Sequence, residues 1–321
     1  MRQSDFEQLR SSVLGFGCGS VLGRVGRQAS LRAMSAAWDA GITLFDTARS
    51  YGFGGAEAVL GEFLRGKRDR AVIATKYGIA PQNPGALKRM LIPAVRAALA
   101  VPAVRKLKRG GSVPAAAVHG EFSVAGLRGS IETSLRELRT DRIDILFLHE
   151  ATLAAIHQDD LVAGLDALVR AGKVLRVGLY GQTQVIAEGL AHGPAVFSAM
   201  QYGADYFDPA VLGLADLNAR NAFLIGNHPF GNPQRVARTR AALSAMAQDE
   251  TVALELREKL SEDGWPMLLD AILGVVLQGA GIHALVFSTM REDHLRANVN
   301  AVENNRFTAQ ELALIRSCLL G

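Results

Sequence analysis

The chain has 321 residues, 49% of them hydrophobic and 21% charged, which excludes a disordered or collagen-like polymer and leaves apolar material for a large core. Its 35 Lys and Arg exceed its 31 Asp and Glu by four, a mild excess weighted to Arg (28 Arg, 7 Lys) and short of the basic–aromatic clustering of a nucleic-acid surface. Two cysteines, Cys18 and Cys318, are too few and too far apart for a disulfide framework or a thiolate metal site.

The first twelve residues are polar, with Arg2, Asp5, Glu7 and Arg10, and lack the apolar stretch of a secretory signal, so a cytoplasmic setting is expected. In chain order, residues 13–16 form the first predicted strand, followed by a helix over 30–40 that Gly41 ends. A second strand at 42–45, a helix at 56–64 and a third strand at 71–75 come next, then a helix at 130–138 and a fourth strand at 143–148. A helix at 161–171, ended by Gly172, leads to strands at 174–179, 196–201 and 222–225. Residues 268–287 are the longest apolar region, but Asp270, Gln278, His283 and two glycines break it, so it reads as a buried helix running into the strand at 284–287 and not as a membrane span. A last helix is expected at 291–302. Eight nearly continuous apolar strands alternating with helices call for a parallel sheet covered by helices, and a single (β/α)8 TIM barrel over residues 1–321 accounts for them better than an open sheet.

In such a barrel, chemistry belongs at the C-terminal ends of the strands. The second strand is followed by Asp46, Thr47, Ala48, Arg49, Ser50 and Tyr51, the third ends in Thr75, Lys76 and Tyr77, and the fourth in Leu148, His149 and Glu150. Singly, Asp46 could cap a turn, Lys76 could be a solvated rim charge and His149 a satisfied structural group. Delivered together to one rim, an Asp, a Tyr, a Lys and a His are a set able to move protons.

The run Phe45-Asp46-Thr47-Ala48, with Tyr51-Gly52, Glu57, Leu60-Gly61, Ala74-Thr75-Lys76 and Leu148-His149, resembles the aldo-keto reductases. The runs Leu135-Arg136-Glu137-Leu138, Asp141-Arg142-Ile143-Asp144 and Gly172-Lys173-Val174 add to the resemblance, which extends over about residues 14–302. It implies an NAD(P)H-dependent oxidoreductase that interconverts a carbonyl (aldehyde, ketone or sugar) and an alcohol by hydride transfer, with no metal. The implied catalytic tetrad is Asp46, Tyr51, Lys76 and His149. Tyr51 would give the proton that the carbonyl oxygen needs as negative charge grows on it. Lys76 would lower the phenol's pKa, Asp46 would hold Lys76, and His149 would orient the carbonyl oxygen.

The cofactor contacts that the resemblance implies depart from the family pattern in the second half. Gln201 matches the glutamine that binds the nicotinamide carboxamide. The family's Ser-Asn pair falls on Tyr180 and Gly181, and its nicotinamide-stacking tyrosine falls on Asn227, leaving His228 or Phe230 to replace the aromatic face. Pro229 and Gly231 keep the turn of the pyrophosphate loop. Ser288 and Thr289 stand at the adenine-end motif and Asn298 matches it, while His294 occupies the position of an Arg that grips the NADP 2′-phosphate. NADP is expected first and NAD a close second. The substrate pocket is expected to be bordered by Phe53, Tyr77, Tyr180, Tyr202 and His228.

Residues 79–120, 42 residues without Asp or Glu, carry seven cations, so the rest of the chain, at +4 − 7, is net −3. This long basic insertion follows the third strand and must emerge at the active-site rim. Three readings compete: a lid that attracts an anionic substrate, an amphipathic element docking to a membrane or partner, and a solvated decoration. Its lack of Phe, Tyr and Trp argues against nucleic acid. The partner that the resemblance implies is a small-molecule carbonyl or alcohol, anionic on the lid reading. The departures at Gly181, Asn227 and His294 also leave room for a nucleotide-binding regulatory or catalytically weak relative.

Overall fold

The structure is a computed structural model in which residues 1–6, 9–23, 25–81, 120–262, 264–279 and 281–320 are described. Residues 82–119, which hold all seven cations of the basic insertion, lie outside the described residues, and with them the lid, docking and decoration readings.

Ten strands are present among the described residues. A hairpin of β1 (Gln3–Phe6) and β2 (Leu9–Ser12) precedes β3 (Leu14–Gly17), β4 (Leu44–Asp46), β5 (Val72–Tyr77), β6 (Ile143–His149), β7 (Val174–Tyr180), β8 (Phe197–Gly203), β9 (Phe223–Asn227) and β10 (Ala284–Phe287). Strands β3 to β10 pair in parallel, each with the next, and β10 returns to β3, closing the predicted barrel. The helices that bear on the site are α1 (Arg27–Asp39), α2 (Ala56–Phe63), α3 (Val124–Leu138), α4 (Leu153–Ile156), α5 (Asp159–Arg170), α6 (Thr183–Ala191), α7 (Pro209–Leu212), α8 (Pro233–Gln248), α9 (Leu254–Ser261), α10 (Trp265–Gly279) and α11 (Glu292–Glu303). No helix among the described residues is long and apolar enough to cross a membrane.

Strand β6, IDILFLH, is buried at every position because one face meets the barrel interior and the other meets helices. Alternation divides the core accordingly: Ile145 and Phe147 join the inner cluster with Leu44, Val72, Phe223 and Ala284, while Leu146 and Leu148 join the helix-facing cluster. Seven of the eight barrel strands run one or two residues past their predicted ends, to Gly17, Asp46, Tyr77, His149, Tyr180, Gly203 and Asn227. Hydropathy stops at the first polar residue, whereas the backbone ladder continues and so fixes the polar side chains that follow.

The hairpin was not among the sequence expectations, since its mostly polar residues carry only Phe6 and Leu9 as an apolar signal. Both side chains enter the inner cluster, where the Phe6 ring lies 5.3 Å from that of Phe223 and 4.5 Å from that of His283. Ser12 ties the hairpin to the barrel: its hydroxyl donates to the Leu14 carbonyl at 2.6 Å and accepts from the Thr43 amide at 2.8 Å. The helix expected from residue 130 begins at Val124, capped by the Ser123 hydroxyl, which accepts from Gly126 N. Its first turn is mostly exposed and so lacks the apolar periodicity that marks the rest.

Candidate active site

Three adjacent strand ends and one turn build the site. Asp46 ends β4, Lys76 lies near the end of β5 and His149 ends β6, while Tyr51 opens the short turn Tyr51–Gly54 that follows β4. Lys76 Nζ donates to Asp46 Oδ1 at 2.6 Å and to the Thr47 carbonyl at 2.9 Å, in a pair with side chains only 1% and 7% exposed. Removing either partner of such a buried pair would strand the other in a poorly solvated place. The same Nζ lies 5.1 Å from the Tyr51 ring centroid and 5.6 Å from that of Tyr180. The Tyr51 and His149 rings meet edge-on at 5.9 Å, and His149 lies 5.4 Å from Tyr180. The four residues expected to act together are thus brought together.

Their electrostatics differ from expectation at one point. The Tyr51 phenol is held well above its ordinary range, first by burial and then by the negative charge of Asp46, with no opposing lowering by Lys76 among its main causes. Burial and Asp46 thus outweigh any lowering by the Lys76 ammonium, whose effect is to stabilise the phenolate once it forms. Burial, reinforced by Lys76, pushes the His149 imidazolium down to about 3, so the ring is neutral at physiological pH. Its Nδ1 is buried without a hydrogen-bond partner among the described residues. Tyr180 is raised as well, by burial and by Tyr51.

Glu57, named in the sequence only as part of a motif, is a clamp. Its carboxylate is 1% exposed and accepts from Thr75 Oγ1 at 2.7 Å and from Arg49 Nη1 at 2.6 Å. Thr75 precedes Lys76 and Arg49 stands two residues before Tyr51, so one buried carboxylate fixes both approaches to the site. After Tyr51 the backbone is left-handed at Gly52 (φ 59°), Phe53 (φ 58°) and Gly54 (φ 86°). A Cβ at Gly52 would also come within 2.7 Å of the Val21 carbonyl, so only glycine fits there. Phe53 has no such excuse, and its conformation costs about 1–2 kcal/mol.

Two cavities meet at Tyr51. The first, of about 440 Å³, starts at Asp46, Tyr51, Lys76 and Tyr180, passes Asn227, His228, Pro229 and Gly231, and ends at Ser288, Thr289, His294 and Asn298. Phe230 and Trp265 also wall it, their rings 5.7 Å apart. Trp265 had no sequence signal beyond standing just before an apolar run. The second cavity, of about 630 Å³, opens beside Tyr51, Phe53 and His149.

Four expected site residues lie elsewhere. Tyr202 is fully buried among helix-facing core residues, since it sits on the opposite face of β8 from Ala199 and Gln201. Tyr77 walls neither cavity: its hydroxyl donates to the Ser123 carbonyl at 2.6 Å, and the residue borders a hollow with Arg49 and Phe122 that adjoins the second cavity at Gly78, Ile79, Ala80 and Glu121. Gln201 is buried near the end of β8, with its Oε1 unpartnered among the described residues, and Gly181 N donates to its carbonyl at 3.3 Å. Neither walls either cavity. At the far end of the first cavity, Arg291 Nε donates to Asp293 Oδ1 at 3.0 Å and Arg296 lies 3.6 Å from Glu292. No group of three His, Cys, Asp or Glu among the described residues is placed to hold a metal ion.

Comparison with known proteins agrees with the fold. The chain is 32% identical over 190 residues to pyridoxal 4-dehydrogenase of Microbacterium luteolum, covering 58% of this chain and 51% of that protein. It is 31% identical over 170 residues to 6-dehydroglucose reductase of Novosphingobium aromaticivorans, covering 50% and 44%. With D-threo-aldose 1-dehydrogenase of a Pseudomonas species it shares 34% over 143 residues, covering 43% and 40%. The chain thus spans about half the length, or less, of these curated relatives. An aldo-keto reductase from Bacillus halodurans, in its holo form, has the same fold with a TM-score of 0.69 at 23% identity, covering 99% of this chain and 95% of that one. The model of the aldo/keto reductase family matches residues 13–320, nearly the whole barrel, and the chain belongs to that family.

Proposed function

We propose that the protein is a nicotinamide-dependent oxidoreductase that interconverts a carbonyl and an alcohol, with Tyr51 as the proton donor. The observation that carries this reading is the meeting of Tyr51, His149 and the buried Lys76–Asp46 pair at the junction of two cavities. The first cavity's polar walls fit a dinucleotide: Asn227 and Asn298 offer amides, and Ser288 and Thr289 hydroxyls. When bound, a nicotinamide dinucleotide supplies or accepts hydride.

The chain's own groups do the rest. Held neutral by burial, Tyr51 keeps its proton until negative charge develops on a carbonyl oxygen more basic than phenolate, then gives it up. Lys76, 5.1 Å from the ring, stabilises the phenolate that remains. Asp46 fixes Lys76, and neutral His149 orients the carbonyl oxygen at the second cavity. Because Arg291 and Arg296 are engaged by carboxylates, His294 is left as the wall residue able to meet a 2′-phosphate, and NADP, expected first, is proposed to be bound with little advantage over NAD. Cytoplasmic residence is proposed with this activity, supported by the free thiols Cys18 and Cys318.

The test is binding of NADPH and NADH by fluorescence, followed by single-turnover oxidation with a panel of aldehydes. Hydride transfer to at least one aldehyde is expected, reduced about 10²- to 10⁴-fold in Tyr51→Phe, which retains cofactor binding. Tight binding without transfer to any carbonyl would overturn catalysis in favour of a nucleotide-binding regulatory role, and near-normal turnover in Tyr51→Phe would remove Tyr51 as donor.

A further inference from the structure

Phe53 carries two penalties. It is left-handed, at φ 58°, between two glycines that are left-handed as well, and a bulky side chain rarely adopts that conformation. Its ring is 42% exposed and belongs to neither cluster of the core, so the strain is not offset by packing. Local strain of this kind survives where the side chain's place serves function. That place is the wall of the opening it shares with Tyr51 and His149, two residues on from the proposed proton donor. Among the described residues, the other side chains of this wall are small or apolar except for Ser50 and Glu121, and Glu121 is the one charged group.

We infer that Phe53 is a stacking platform that selects carbonyl substrates with a flat apolar face, such as aryl aldehydes, over small hydroxylated or anionic ones. This rests on the oxidoreductase reading above and adds the substrate class. An aryl ring lying on Phe53 gains offset or edge-to-face contact, while its carbonyl points toward Tyr51 and His149. A polyol gains little from the same surface. A substrate carboxylate would face the carboxylate of Glu121.

The experiment compares wild type, Phe53→Gly and Phe53→Leu on benzaldehyde, 4-carboxybenzaldehyde and glyceraldehyde, with melting temperatures for all three proteins. Phe53→Gly is expected to lower the benzaldehyde-to-glyceraldehyde ratio of kcat/KM by about fivefold or more, chiefly through KM for benzaldehyde. Phe53→Leu, which keeps an apolar side chain without the flat ring, should fall between and guards against loosening of the turn by glycine. Phe53→Gly should also raise the melting temperature by about 1–3 °C, since glycine relieves the left-handed strain. In wild type, benzaldehyde should be preferred to 4-carboxybenzaldehyde. A ratio unmoved by both substitutions, a preference for the carboxylated aldehyde, or a lower melting temperature in Phe53→Gly would overturn the platform while leaving the oxidoreductase reading intact. Wild-type protein that reduces none of the three would overturn both.

Discussion

At the scale of single residues, the site separates two jobs that are easily conflated. In the proposed reaction Tyr51 holds a proton before reduction and is free of one before oxidation, and its burial favours the first state. The raised phenol is protonated across the whole neutral range, so the rate of the reductive step should be nearly flat from about pH 6 to 9. Alcohol oxidation draws on the scarce phenolate and should climb about tenfold per pH unit over the same interval, before any plateau. His149, already neutral above about 3, adds no inflection there. Steady-state pH profiles in both directions check this, and an oxidation limb flat above pH 7 would contradict it. That Asp46, Tyr51, Lys76 and His149 come together was legible in the sequence, because three are polar groups near the ends of apolar strands and Tyr51 follows one closely. The direction of the Tyr51 shift was not, since it depends on how closely Asp46 and Lys76 pair and on how little water reaches the phenol. Tyr202 and Tyr77 misled for a simpler reason: a tyrosine near a strand end carries no mark of which face it occupies.

At the scale of elements, the eight strands and most helices could be read from periodicity, while the N-terminal hairpin could not, because two apolar residues in a polar stretch make no periodic signal. Glu57 and Gly61 show the same gap between motif and cause. Both were visible as motif residues, but only packing explains them. Gly61 lies where α2 crosses α3, and a Cβ there would stand 2.4 Å from the Glu137 carbonyl and 2.6 Å from that of Leu138. Backbone cannot yield as a side-chain tip would, so Gly61→Ala is expected to destabilise by about 2–3 kcal/mol. Denaturant unfolding measures this, and a loss under about 0.5 kcal/mol would show that the helices part more readily than their packing implies. Because α2 also carries Glu57, and through it Arg49 and Thr75, the same substitution should disturb activity before it unfolds the barrel.

At the scale of the whole molecule, burial of phenols ties stability to pH. Tyr51, Tyr180 and Tyr202 are all raised above the ordinary value of 10.0. Each therefore retains its proton in the folded state after the unfolded chain has lost it. Their contribution is fully present below about pH 10 and is lost above it, by up to about 4 kcal/mol per pH unit for the three together. Unfolding free energies measured between about pH 9 and 11.5 should bend downward near pH 10, and a straight line through that interval would mean that the phenols are better solvated than their burial indicates.

The hairpin that closes the lower end of the barrel also governs traffic. With Phe6 and Leu9 packed among the inner-cluster residues at that end, both cavities described above lie at the opposite rim, where the strands end. The first cavity extends from the buried Lys76–Asp46 pair out to the exposed Ser288 and His294, and the second opens at Phe53 and His149. The dinucleotide and the carbonyl proposed for these two cavities would each have a way in of its own and would meet at Tyr51.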